Sequence, residues 1–188
     1  MYKIIVTTTR RPTPRTRSLV KDLVSVIPGA VRFTRGHYSM PELAIEARAL
    51  GAERVLIVAS RRGNPSLVRF YKVGDEELVN IASLSILGVT LSREWKKGTP
   101  QNIGTAKGVA VYLVRRDPTA EIVAEALVGG LGARVSAESN VPDYVVIVLS
   151  PSERGGVEAV FTFNGRVVGP KLRLSPVSKS LKGVNIEG

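Results

Sequence analysis

Four short apolar runs, at residues 4–8, 55–59, 109–114 and 144–149, are dominated by valine, isoleucine and leucine with little polar interruption. Runs of that length and β-branched content predict strands covered on both faces. Between them the apolar period lengthens to that of a helix. Leu19, Leu23 and Ile27 form one stripe, with Thr13 as N-cap, Pro14 at the first helical position and Pro28-Gly29 as the stop. Ser39-Met40-Pro41-Glu42 has capping-box spacing and opens a second helix expected to bury Leu43, Ala47 and Leu50 before stopping at Gly51. Asp117-Pro118 opens a third, which runs through Ile122, Val123, Ala126 and Leu127 and is expected to end in Gly129-Gly130. Residues 67–73 and 78–87 predict an antiparallel pair turning at Gly74-Asp75. Residues 157–163 and 167–174 predict another across Asn164-Gly165, a strong hairpin signal.

The predicted elements repeat. Arg10-Arg11 before Thr13-Pro14 matches Arg115-Arg116 before Asp117-Pro118: apolar strand, arginine pair, capped helix with proline at its first position. Later, the Ile57–Ser60 sequence matches Ile147–Ser150, and Phe70 and Gly74 match Phe161 and Gly165. The offset falls from about 104 to about 90, roughly the length of the second helix, which has no later counterpart. The expected fold is therefore of the α/β class with mixed sheets (α+β), in two related halves. Residues 1–102 form the first half and 103–176 the second, joined by the polar linker 96–102 and followed by a polar tail, 177–188.

Charge makes the halves unequal. The chain of 188 residues carries a formal net charge of +11, with 44% apolar residues. Residues 1–102 hold 17 basic and 8 acidic side chains, against 10 and 8 in residues 103–188. A basic excess held on one half of a folded chain is the footprint of a polyanionic partner. No predicted helix sets a basic face against a bulky aromatic one, so a lipid surface fits less well. There is no cysteine, which excludes disulfides, thiolate metal sites and a cysteine nucleophile. No run reaches membrane-spanning length and the start lacks a signal-peptide layout, so the expectation is a soluble, cytoplasmic protein.

Candidate chemistry is sparse. His37 is the only histidine, which leaves no histidine-dependent triad or multi-histidine metal site. Gly98, Gly104, Thr105 and Lys107 resemble a P-loop only weakly, because the spacing is wrong and no Gly-Lys-Ser/Thr follows. Gly129-Gly130-Leu131-Gly132 is at the wrong end of a helix for dinucleotide binding. Asp75-Glu76-Glu77 fits a solvated turn, while Asp117 and Asp143 sit at ordinary structural positions. No catalytic residue, metal, cofactor or small-molecule substrate is expected. Aromatic residues make up 5% of the chain, too few for a base-stacking platform, which favours recognition of backbone charge and shape. Phe70 is expected in the core and Trp95 half-buried.

The densest basic stretch is Arg10-Arg11-Pro12-Thr13-Pro14-Arg15-Thr16-Arg17. It places Arg15 and Arg17 at the positive end of a helix dipole, an unfavourable post for cations worth roughly 0.3–1 kcal/mol each, and free amides there suit an anion. Lys21 lies one turn beyond Arg17. Arg61-Arg62 follows the 55–59 strand, so if that strand runs parallel to the first, both arginine pairs emerge at one edge.

The run Thr7-Thr8-Thr9-Arg10-Arg11-Pro12-Thr13-Pro14-Arg15-Thr16-Arg17, followed by Lys21-Asp22-Leu23, resembles the opening signature of the Brix-domain family of ribosome-biogenesis proteins. Gly63-Asn64-Pro65-Ser66-Leu67 and Val168-Gly169-Pro170-Lys171-Leu172-Arg173-Leu174 fit the same family in the same order. The brevity of the chain resembles the compact archaeal form. Asn64, Ser66 and Lys171 depart from the residues usual at those places. The resemblance implies two halves similar to the anticodon-binding domains of class II aminoacyl-tRNA synthetases. It also implies binding to ribosomal RNA or its precursor during subunit assembly, without catalysis. Other assembly-factor proteins are expected as further partners, and the expected state is a monomer. Candidate RNA contacts are Arg10, Arg11, Arg15, Arg17, Lys21, Arg61 and Arg62, with Lys171 and Arg173 on the final strand. The residues themselves leave two alternatives open: an RNA-processing or modifying enzyme, and a tRNA-binding accessory module.

Overall fold

In a computed structural model, described for residues 3–95 and 103–177, valine- and isoleucine-rich segments assemble into one mixed sheet. The elements in chain order are β1 (Ile4–Thr8), α1 (Pro14–Val26), β2 (Ala30–Arg32), α2 (Met40–Ala49), β3 (Arg54–Arg61), β4 (Asn64–Val73) and β5 (Leu78–Thr90). There follow α3 (Ser92–Trp95), β6 (Gly108–Leu113), α4 (Pro118–Leu131), β7 (Arg134–Ser136), β8 (Tyr144–Pro151), β9 (Val157–Phe163) and β10 (Arg166–Pro176). The expected linker 96–102 and the tail from residue 178 lie outside the described residues.

The sheet order is β2-β1-β3-β4-β5-β10-β9-β8-β6-β7. The two separate sheets expected from the sequence are thus one continuous sheet, closed by antiparallel pairing of β5 with β10. Outward from that seam, each side runs through antiparallel pairs and ends in three parallel strands.

Alternation along β1 sets the layers. Ile4 and Val6 face a core built with Leu19, Leu23 and Val26 of α1 and Val123 and Leu127 of α4. Ile5 faces a second cluster with Leu43 and Ala47 of α2 and Val55, Ile57 and Tyr71. Thus α1 and α4 share one face and α2 covers the other on the first side only. The main core crosses the seam, since Leu84 and Ile86 of β5 and Leu172 and Leu174 of β10 belong to it.

Helix starts follow local chemistry. Thr13 and Ser39 cap α1 and α2, the latter with a full capping box, and Asp117 accepts from the amides of Thr119 and Ala120 at α4. Helix interiors and ends hold the surprises. Leu50, expected in the core, is 39% exposed, because α2 stops at Ala49 and Leu50 serves as its C-cap. The third predicted helix does not end in Gly129-Gly130. It continues to Leu131 and stops at Gly132 in a left-handed conformation. Gly130 is there for close packing: a Cβ at that position would lie 2.2 Å from Cδ1 of Phe70. The three-residue strands β2 and β7 at the two sheet edges, and the single turn α3, are also absent from the sequence reading.

Candidate nucleic-acid interface

The start of α1 is fastened to the end of β3 by hydroxyl groups. Thr13 Oγ1 lies 2.9 Å from Thr16 Oγ1, which lies 2.8 Å from Ser60 Oγ. Thr16 is fully buried in this contact. Because β1 and β3 run parallel, with Thr8 opposite Val58, Arg10-Arg11 and Arg61-Arg62 emerge at the same edge of the sheet. The condition on which the basic edge depended is met. The first turn of α1 holds no acidic residue, so no carboxylate of the helix itself compensates Arg15 and Arg17 at its positive end.

An open groove of about 440 Å³ lies along this edge, with Arg15, Arg61, Arg62, Asn64, Ser66 and Gly88 among its walls. Arg62 and Gly63 form the two-residue turn between β3 and β4, since Arg61 pairs with Asn64. Both have positive φ, +49° and +86°. Such turns favour asparagine or glycine at the first position, and the second hairpin of this chain has Asn164-Gly165 there. An arginine in the left-handed region is a local strain set at the tip of the edge.

A second, smaller pocket of about 190 Å³ lies beside the end of β1, and Arg10 and Arg17 line it with Arg32 and Arg35. The last two were not among the expected residues. The signal was faint, because Arg32 closes a strand of three residues and Arg35 follows in a loop. Arg35 is 9% exposed and donates from Nε to the Tyr38 carbonyl at 3.1 Å. Burial, and secondarily the charge of Arg10, hold its pKa below the usual guanidinium value.

The other expected residues are placed differently. Arg11 and Lys21 are exposed on the loop and on α1. Arg15 is clamped: its Nη2 donates to Glu94 Oε2 at 2.9 Å and to the Val89 carbonyl at 3.0 Å, and Nη1 also reaches Glu94. Arg173 donates to the carbonyls of Arg154, Gly155 and Leu87, bracing the β8–β9 turn against β5. The Lys171 ammonium lies 5.0 Å from the centroid of the Trp95 ring. These last three basic groups spend donors or charge on the protein itself. Among the described residues, Arg10, Arg11, Arg17, Arg61 and Arg62 form no ion pair.

The Arg15–Glu94 pair bridges α1 and α3, and Glu94 also accepts from the Leu91 amide at 2.9 Å. These bonds, that of Arg15 first, hold the Glu94 carboxyl below the usual carboxylate range. A depressed carboxylate pKa stabilises the fold above the unfolded value near 4.3, and the gain is lost as pH falls through the folded value. Glu94→Gln is expected to cost up to about 1 kcal/mol at neutral pH, with the deficit shrinking in acid. Denaturant melts of both proteins at pH 7 and pH 3 would show it, and an equal deficit at both would rule it out.

Other polar groups hold ordinary posts. Lys107 pairs with Asp143 at 2.7 Å, and His37 is exposed in the loop before α2. Among the described residues no group of three or more His, Cys, Asp or Glu could hold a metal ion. No helix of the described residues is long and apolar enough to cross a membrane.

Fold and edge together define a mixed α/β protein with a basic rim where the parallel strands β1 and β3 end, in one ten-stranded sheet. No protein-family model matches the chain. It is 43% identical over 180 residues to a "probable Brix domain-containing ribosomal biogenesis protein" of Aeropyrum pernix, covering 94% of this chain and 97% of that one. A protein of the same description from Pyrococcus horikoshii is 39% identical over 116 residues, 57% of this chain and 52% of the relative. Among solved structures, a ribosomal biogenesis protein from Aeropyrum pernix K1, described as probable, superposes with TM-score 0.82 at 42% identity, covering 95% of this chain and 98% of that one. An archaeal Imp4-like protein superposes with TM-score 0.65 at 23% identity, over 91% and 96% of the two chains, a likeness of fold. The chain belongs to the Brix-domain family.

Proposed function

We propose that the protein is a non-enzymatic factor of ribosome biogenesis that binds ribosomal RNA or its precursor along the basic edge. The carrying observation is the emergence of Arg10-Arg11 and Arg61-Arg62 at one edge of parallel strands, with no ion pair to them among the described residues. Phosphates would supply the missing counter-charge. Arg17 and Lys21 extend the edge along α1. Lys171 and Arg173 form a weaker second contact, already braced by protein groups. We read the two sides of the sheet as copies of one plan, the halves being similar to synthetase anticodon-binding domains, with residues 1–102 as the RNA-contacting half. The descriptions of the relatives support the assignment to ribosome biogenesis.

The test is equilibrium binding of purified protein to transcribed rRNA fragments between about 50 and 200 mM salt, with tRNA as competitor. The expected result is a log–log slope of about −0.7 for each single-strand phosphate engaged, and rRNA binding that tRNA does not displace at equal concentration. Binding without salt dependence would sink the phosphate reading. Displacement by tRNA would favour the accessory-module reading instead.

A further inference from the structure

The small pocket at the end of β1 differs in kind from the open edge. Its four arginines come from three separate places: Arg10 after β1, Arg17 on α1, and Arg32 and Arg35 at and beyond the end of β2. No carboxylate lines it. The acidic group that Arg10 influences is Glu42, whose Oε2 accepts from the amide and hydroxyl of Ser39, each at 2.7 Å, in the α2 capping box. Arg35 is nine-tenths buried and lines the pocket, and its described side-chain bond uses Nε only. A buried charge without a counter-ion is among the more expensive features a fold can carry. Thr8 and Thr34 add hydroxyls to the same walls.

Resting on the RNA reading above for the source of the ligand, we infer that this pocket seats one phosphate group of an RNA chain at a fixed place, held by two or more of Arg10, Arg17, Arg32 and Arg35. Guanidinium forks match phosphate oxygens in pairs. Forks converging from several directions suit a tetrahedral anion better than a planar carboxylate. The seated phosphate would fix the register of the RNA, while the open edge supplies charge without a fixed position.

The experiment uses the full chain and inorganic phosphate as probe. Thermal unfolding is followed with phosphate against chloride at matched ionic strength, for the wild type and for Arg17→Gln/Arg32→Gln. Both replaced side chains are exposed, so the variant keeps its core. Phosphate is expected to raise the wild-type midpoint by about 2–4 °C at about five times its dissociation constant, and the variant is expected to lose most of that shift. The variant should also lower the salt slope for rRNA by about 0.7, the share of the one phosphate seated there. Equal phosphate shifts in the two proteins overturn the pocket, and rRNA binding with its salt slope intact would then leave the edge reading standing. A pocket-dependent phosphate shift in a protein that binds no rRNA keeps the pocket and overturns the RNA reading. A poly-glutamate peptide that reproduces the shift overturns the assignment to phosphate.

Discussion

Replacing Arg11, Arg61 and Arg62 together by glutamine is expected to lower affinity for single-stranded rRNA on the order of 100-fold at 0.1 M salt. Three phosphate contacts at a slope of about 0.7 each give that figure relative to molar salt. All three side chains are exposed and make no ion pair among the described residues, so the fold loses little with them. Glutamine keeps the length and apolar stem while removing the charge. Arg15 is left in place because its clamp on Glu94 and Val89 would confuse lost binding with lost stability. The expected signature is a reduced slope of log affinity against log salt, with the melting temperature within a few degrees of wild type. A slope and affinity indistinguishable from wild type would remove the edge from the interface.

Gly130→Ala and Gly129→Ala should move stability in opposite directions although the residues are adjacent on one helix. At Gly129 an added methyl meets nothing within 4 Å, so the helix gains roughly 0.5–1 kcal/mol from alanine's lower conformational cost. At Gly130 the methyl would sit 2.2 Å and 2.4 Å from Cδ1 and Cγ of Phe70. Those atoms are near the root of the ring, and Phe70 is itself 1% exposed, so the ring cannot swing clear. Overpacking of this kind costs about 1–3 kcal/mol or more, which outweighs the helix gain. Phe70→Leu should recover part of the Gly130→Ala loss in a double-mutant cycle. Strict additivity of the two would show that α4 shifts as a body instead.

Local chemistry made much of the fold legible. Caps at Thr13, Ser39 and Asp117 and the Asn164-Gly165 turn are decided within a few residues, so the sequence marks them directly. Strands β2 and β7 are three residues each, too short to show a period, and they owe their existence to parallel neighbours already in place. Gly129-Gly130 reads as a stop because a glycine pair usually is one. Only the distant Phe70 reveals that the second glycine makes room for a ring. The arginine pairs and their common edge followed from strand order. The engagement of Arg15 with Glu94, 79 residues away, and of Arg173 with turn carbonyls did not, because neither partner is signalled by sequence spacing. Arg32 and Arg35 were missed for the same reason as β2.

The placement of β10 has a consequence for how the chain is made. The last of the ten strands to leave the ribosome is inserted at the centre of the sheet, between β5 and β9. Until it arrives, the thirteen-residue β5 carries a long row of unpaired amides and carbonyls, the kind of edge that recruits foreign strands. The first half therefore cannot finish its sheet until β10 has been made, and closure waits on a strand about 80 residues further on. If the edge takes RNA as proposed, a nascent chain that already displays Arg10-Arg11 and Arg61-Arg62 would meet it before its centre is sealed. Completion of the sheet and acquisition of the partner then compete in time.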